Sequence, residues 1–425
     1  MSRTRMSRGF TLFIIIIIIY SVMWFAVDGE SNVITSDGTM YYQYFTRAFI
    51  SHNIADSGII KFPVGSTLLQ LPFLLIGLAL SGITGTEIAD GFNIYFQAMV
   101  FTAGLFYGVC AFILIHRMLR RRYSEKASLL ACVALMCGTM IPVYMMEHAS
   151  FSHIYGFFIC SATMCYVEYY EKKRAEPKNA TVRDLFLGAL LGFSALIRNT
   201  NIIISTVYVF YNVTSFGGLR NRLKEVFSRR IIPQIIGAAA ILSIQFILWR
   251  IMSGHWVLYS YTGEHFLYLT DPRILQVLFS DAKGLFFYSP ILFVGLLSML
   301  FFRSENKEFR LAQWIVFLGL TYLVSAWWCW WLGGAYGERM YCDILCIFAI
   351  PLASFFESLR NWSQQLRHDR RIFTLQFIPM LCYIAVTLMI AVNIIWIKGT
   401  RSGVVSSNMS NWYELKSWLN SFLFK

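Results

Sequence analysis

The residues best suited to chemistry open the chain's first polar interruption, residues 28 to 62, which read DGESNVITSDGTMYYQYFTRAFISHNIADSGIIKF. Asp28, Glu30, Asp37 and Asp56 stand there beside Tyr41, Tyr42, Tyr44, Arg47, His52 and Lys61. Further polar groups follow at Glu147, His148, Ser152 and His153, at Arg198 and across His255 to Lys283. A last group is WWCWWLGGAYGERMYCD, with Trp331, Glu338, Arg339 and Asp343. A carboxylate at a membrane surface can take the proton of an incoming hydroxyl, and cations at headgroup level can hold a departing phosphate. Trp and Tyr can stack on sugar faces. These are the parts for group transfer from a lipid phosphate.

Each residue also has a plainer reading. Asp is a common helix cap, and Asp37 precedes the helical run TMYYQYFTRAF. Asp28 and Glu30 read as solvated loop charges, and Lys61 could snorkel at the interface. Tyr41, Tyr42 and the four tryptophans could form an aromatic belt. His148 and His153 are five residues apart, which does not match the i, i+4 spacing of a helical metal pair. Arg198 stands in the middle of an apolar segment, where a cation costs about 2.5–3.5 kcal/mol on insertion scales, so a functional anionic partner is favoured. Arg339 is balanced between a phosphate contact and an ion pair with Glu338.

The elements that must position these residues are membrane helices. The sequence is 57% hydrophobic and 14% charged, against about 45–50% and 25% in soluble domains. Apolar runs near the roughly 20 residues needed to cross a bilayer recur from Phe10 to Trp396. They predict an all-α polytopic bundle forming a single integral membrane domain over 1–425. The net charge of +13 is no sign of a nucleic-acid partner, because the basic residues sit in short clusters between apolar runs. The nine cysteines show no zinc or CxxC spacing and read as small core residues. The N-terminal apolar run lacks a small-residue cleavage site before Asp28 and reads as a retained first span.

Basic clusters at 1–8, 116–126, 171–184, 217–230, 303–310 and 360–371 hold most of the 36 Lys and Arg. Placing them all on the cytoplasmic side predicts eleven spans. They lie at about 10–27, 93–115, 127–146, 151–170, 231–252, 284–302, 311–332, 340–358 and 372–395, with 185–216 as two short arms meeting at Arg198. A single long span over 185–216 is the rival. The run 63–83 is long enough to cross, yet a crossing there would put Arg117, Arg120, Arg121 and Arg122 outside. It is therefore expected to be an interfacial juxtamembrane segment within a first outer loop, 28–92. The tail 396–425, with Trp412, Leu415, Trp418, Leu419 and Phe422 three or four apart, is expected to be an amphipathic outer helix. All the unusual polar residues then fall on the outer side.

SDGTMYYQYFTRAF followed by KFPVGSTLLQLPFLL resembles the first outer loop of bacterial GT-C glycosyltransferases of the family 39 kind, which includes protein mannosyltransferases and lipid A aminoarabinose transferases. SHIYGFF, LGALLGFSALIRNTNIII, GLFFYSPILFVGLL and WWLGGAYGERM follow in the family's order. The resemblance implies a juxtamembrane helix after the first loop and Asp37 as the catalytic base. It also implies a polyprenyl-phosphate sugar donor and a divalent-cation requirement that varies between members. The chain departs from it at Asp37-Gly38, where an Asp-Glu pair is common.

The expected activity is transfer of a hexose, with inversion, to a hydroxyl of an envelope glycan such as O-antigen, a lipid or a protein. It would take place on the periplasmic face of a bacterial inner membrane. Arg198, Arg339 and Lys61 are the expected phosphate contacts, and Tyr41, Tyr42, His153, Glu338 and Trp331 the expected substrate contacts, with no metal ligand assigned. A lipid-linked-sugar flippase is the alternative, although it would need polar residues near the midplane of several spans. A structural scaffold does not account for the one-sided polar clustering.

Overall fold

The computed structural model describes residues 7–27, 32–55, 58–88, 90–301, 307–368, 377–403, 405–406, 411, 413–414, 416–417 and 420. Asp28, Glu30 and Asp56 lie outside the described residues, as do Trp412, Leu415, Trp418, Leu419 and Phe422 of the expected tail helix. The order is α1 (Arg8–Val27), α2 (Asp37–Phe45), α3 (Gly65–Thr84), α4 (Ile94–Leu119), α5 (Glu125–Cys137), α6 (Ile141–Met145), α7 (His153–Lys172) and α8 (Ala180–Ile197). Next come α9 (Thr206–Val209), α10 (Phe216–Val226), α11 (Ile231–Ser253), α12 (Ile274–Phe279), α13 (Leu285–Tyr288) and α14 (Ile291–Phe301). α15 (Arg310–Ala326), α16 (Ala349–His368) and α17 (Phe377–Arg401) follow. Among the described residues there is no strand, only an isolated bridge between Phe266 and Trp327.

Among the described residues seven helical stretches are long and apolar enough, by length and composition, to cross a membrane: α1, α3, α4, α8, α11, Arg339–Leu366 and α17. α14 and α15 are apolar but shorter. Several of the eleven expected crossings are thus broken helices, which hydrocarbon tolerates only where freed backbone groups find partners inside the protein. At the break after α5, Asn393 of α17 donates from Nδ2 to the carbonyls of Cys137 (3.1 Å) and Thr139 (3.0 Å), and its Oδ1 accepts from the Tyr336 hydroxyl at 3.0 Å.

The chain forms two compact units. One comprises Ile15–Leu114 and Val143–His265 and holds Asp37; the other comprises Met1–Ile14, Ile115–Pro142 and Phe266–Lys425 and holds Arg339.

In the Asp37 unit, α8 ends at Ile197, Arg198 is extended (φ −152°, ψ 132°), and a 3-10 helix over Asn199–Ser205 leads into α9. This arm runs back along α8 and α7. The Tyr208 hydroxyl meets Gln234 Nε2 at 3.0 Å, and the same amide reaches Tyr170 near the end of α7. Arg222 clamps that end by donating to Glu171 at 2.7 Å and to the Tyr208 carbonyl. The two-armed reading of 185–216 is therefore the one observed. At about 2.0 Å per residue, against 1.5 Å for α-helix, the 3-10 turn lets a short arm reach further.

α8 packs on α11 through small residues. A Cβ added at Gly188 would lie 1.8 Å from the Gln234 carbonyl oxygen, one at Gly192 2.8 Å from Ala238, and one at Gly237 2.1 Å from the Leu185 carbonyl oxygen. Such close backbone approach supplies dispersion contacts where lipid offers no hydrophobic driving force.

α3 pairs with α4: Phe73 meets Phe106, Gly77 lies against Phe96 and Met99, and Asn93, just before α4, donates to Ser81. Its N-terminus lies on the end of α8, where a Cβ at Gly65 would stand 2.5 Å from the Leu196 carbonyl. α4 meets the start of the α7 segment at Gly104, against Ala149. That is ten residues, or about 15 Å, from its N-terminal end. The Arg198 apex is therefore recessed relative to the tip of α4.

Gly38 in α2 has equally little room, since a Cβ there would lie 1.8 Å from Ser150 Oγ. This explains the missing second carboxylate at position 38. Two substitutions test these contacts. In an open helix Gly→Ala gains about 1 kcal/mol, whereas Gly237→Ala should lower the thermal unfolding midpoint in detergent, with an overpacking cost of about 1–3 kcal/mol. Gly38→Glu, which restores the acidic pair, should lower it at least as much. A raised midpoint in either protein would contradict the packing described.

Candidate active site

α2 positions the acid. Ser36, in an unusual backbone conformation (φ 48°), is the cap residue and makes no side-chain cap bond. Asp37 is instead the first helical residue, half-buried, at the end where backbone N–H groups favour negative charge. One turn on, Tyr41 is buried and stacks on Phe62 at 4.7 Å. Its hydroxyl donates to Ser152 Oγ at 2.9 Å, while its carbonyl accepts from Thr67 of α3 at 2.7 Å.

Ser152 also receives Arg198, whose Nη1 lies 3.4 Å from Oγ and 3.2 Å from His153 Nε2. His153 is buried edge-on against Tyr144. Burial raises the pKa of the Tyr41 phenol; Arg198 opposes that shift and Asp37 adds to it. Both charges are therefore within electrostatic reach of this one ring. Tyr261 shares the surroundings: burial raises its pKa, with Arg198 opposing and Glu264 and Asp37 reinforcing. The Asp37 unit thus brings together Asp37, Tyr41, Ser152, His153, Arg198 and Tyr261.

Two expected site residues have other duties. Tyr42 is buried, gives its hydroxyl to the Gly91 carbonyl and packs its ring against Phe45, Phe92 and Phe96. Lys61 pairs with Glu264, and its ammonium lies 5.2 Å from the Tyr261 ring centre. The phosphate contact expected of Lys61 therefore competes with a carboxylate already in place. Together with the 2.6 Å bond from Ser260 Oγ to the Lys61 carbonyl, this pair fastens residues 259–264 over the end of the first loop.

In the Arg339 unit, Gly333 (φ 68°) and Gly337 (φ 58°) shape the turn that leads to Glu338 and Arg339. These left-handed positions suit glycine. Glu338 is fully buried and neither carboxylate oxygen has a hydrogen-bond partner. Lys283 is also buried and donates from Nζ to the Ala335 carbonyl. Burial raises the pKa of Glu338, opposed by Lys283 and Arg339, and lowers that of Lys283 to about 7, opposed by Glu338. Trp331 is half-buried, with ring centres 6.3 Å from Trp328 and 5.7 Å from Trp330. That is an aromatic cluster one face of which a sugar could use.

Among the described residues no three His, Cys, Asp or Glu side chains converge as metal ligands.

Reading the sequence alone overlooked Tyr261, Glu264 and Lys283 as individual residues, although the polar stretch 255–283 drew attention as a whole. It also gave Ser152 no role of its own beside His153 in SHIYGFF. The signal available for Lys283 was a lone cation directly before the apolar run GLFFYSPILF.

Among solved structures the chain is similar to the crystal structure of the Archaeoglobus fulgidus oligosaccharyltransferase in its apo form. The two are 12% identical with a TM-score of 0.55, over 99% of this chain and 59% of that one. It is also similar to the archaeal oligosaccharyltransferase AglB from Archaeoglobus fulgidus in complex with an inhibitory peptide and a dolichol-phosphate, at 11% identity and a TM-score of 0.50, over 98% and 58%. The chain spans about three-fifths of the length of these neighbours. No protein-family model and no curated protein matches the sequence. At such identities the likeness is one of fold: this is an all-α, multi-pass membrane protein with a GT-C-like fold.

Proposed function

We propose that the protein is a membrane glycosyltransferase of the family 39 kind, moving a hexose from a polyprenyl-phosphate-linked donor to a hydroxyl of an envelope glycan, lipid or protein. The observation that carries this reading is that Asp37 opens the helix whose Tyr41, one turn on, donates to Ser152 Oγ at 2.9 Å, the hydroxyl that Arg198 Nη1 also approaches at 3.4 Å. The fold adds support, because one structural neighbour is in complex with a peptide and a dolichol-phosphate. The charge pattern of the loops favours a site on the side away from the basic clusters, and the resemblance to bacterial transferases makes that the periplasmic face of an inner membrane.

In this mechanism Asp37 takes the proton of the acceptor hydroxyl as that oxygen attacks the anomeric carbon. The bond from the anomeric carbon to the phosphate oxygen breaks on the opposite face, inverting the centre and releasing polyprenyl phosphate. Arg198 stabilises the charge gathering on the phosphate. Ser152 and His153 fix the guanidinium, and Tyr41 keeps its proton and buttresses Ser152. Arg339 is also proposed as a phosphate contact, with Glu338 and Trp331 as substrate contacts, on the residue types that WWLGGAYGERM presents.

The test uses the full chain in nanodiscs with radiolabelled undecaprenyl-phosphate hexoses and a cell-envelope extract. Asp37→Asn should lower transfer by about 10²–10⁴-fold, the usual worth of a general base, while undecaprenyl phosphate binding stays unchanged. Arg198→Gln should weaken that binding. Turnover like wild type in the Asp37 variant would sink the assignment, and movement of the lipid-linked sugar without bond cleavage would point to a flippase.

A further inference from the structure

The Arg339 unit holds a buried cation, Lys283, that the transfer mechanism leaves unused. Glu338 is wholly buried with both carboxylate oxygens unpartnered. Lys283, 2% exposed, comes from the segment before α13 and binds the carbonyl of Ala335, three residues before Glu338. Tyr288 of α13 lies against Gly337, between Ala335 and Arg339, and donates its hydroxyl to the Asp281 carbonyl at 3.0 Å. Both ends of the 281–288 segment therefore grip the turn. The titratable and charged groups facing this pair are Arg339, Cys329 and Tyr341.

We infer that Lys283 is a positioning residue for Arg339, holding the Gly333–Arg339 turn through the Ala335 carbonyl and compensating the buried carboxylate of Glu338. A carboxylate with no hydrogen-bond donor is stable in such surroundings only if a cation stands by or if it carries a proton. Lys283 supplies the cation without leaving the turn.

Burial lowers the pKa of Lys283 to about 7 and raises that of Glu338, so the proton count of the pair changes near neutrality. Rising pH through this range takes the proton from Lys283, so the ammonium no longer compensates Glu338 and the hold on the turn weakens. Arginine at position 283 would not titrate in this range.

The first test is hydrogen exchange of the 333–339 backbone in the full chain in nanodiscs at pH 6.5 and 8.5, corrected for intrinsic exchange. Lys283→Met should speed exchange at least tenfold at both pH values. Wild type should loosen several-fold between them, and Lys283→Arg should not. Wild-type protection in Lys283→Met, or the same pH dependence in wild type and Lys283→Arg, would overturn the inference. If Lys283→Met does not fold, the comparison of wild type with Lys283→Arg decides alone.

A second measurement rests on the proposed phosphate role of Arg339. The affinity of wild type for undecaprenyl phosphate should fall over the same pH range by several-fold more than that of Lys283→Arg. Absence of binding at either pH would count against the proposed function, while the exchange experiment would still judge Lys283.

Discussion

The close approach of two backbones, Gly65 on Leu196 and Ile197, is the constraint on which the candidate site depends. A side chain at position 65 would hold α3 away from the end of α8. α2 would move with it, because Thr67 of α3 bonds the Tyr41 carbonyl. Around this contact Tyr44, Ile60, Val64 and Leu196 form a small buried core, backed by Ile241, Leu242, Ile244 and Leu248 of α11. Gln245 of α11 closes it by accepting from the Val64 N–H and donating to the Tyr44 hydroxyl. The first loop is thus fastened to the helix that ends at Arg198 and to the helix behind it. The distance between acid and cation is then set by packing rather than by loop flexibility.

A second theme is how a largely apolar protein accommodates interruptions of its helices. Each break exposes backbone groups that lipid cannot satisfy. Single polar side chains from neighbouring helices do so instead: Asn393 at the end of α5, Gln313 on the Ile347 carbonyl, and Gln70 on the Ser150 carbonyl. These amides are buried and each donates to a backbone carbonyl, so their polarity is no sign of a transport path. The intramembrane polarity expected of a flippase is in this respect accounted for by architecture.

The two units treat charge differently. In the Asp37 unit Lys61 meets Glu264 at a partly exposed site, and the pair acts as a fastening. In the Arg339 unit the carboxylate and ammonium are both buried, where desolvation is large and each group's protonation depends on the other. The first arrangement suits a surface strap; the second makes a turn responsive to the proton count.

Much of the fold was legible in the residues. Composition and the length of apolar runs determined a helical membrane protein, because a bilayer admits little else. The clustering of Lys and Arg set an orientation for the spans, and one cation inside an apolar segment marked the Arg198 break because burying it there is costly. The ordered motifs from Asp37 to Arg339 resembled the GT-C transferases, whose fold the structure shares. Where helices break, and which polar residues meet, only the tertiary structure decided. The partner of Lys61 lies 203 residues away, and the hydroxyl that receives Tyr41 lies 111 residues away. Gly38 stands where a second acid was expected because Ser150 occupies the space. Pairings of this kind have no local signature, since they are set by how closely distant backbones approach.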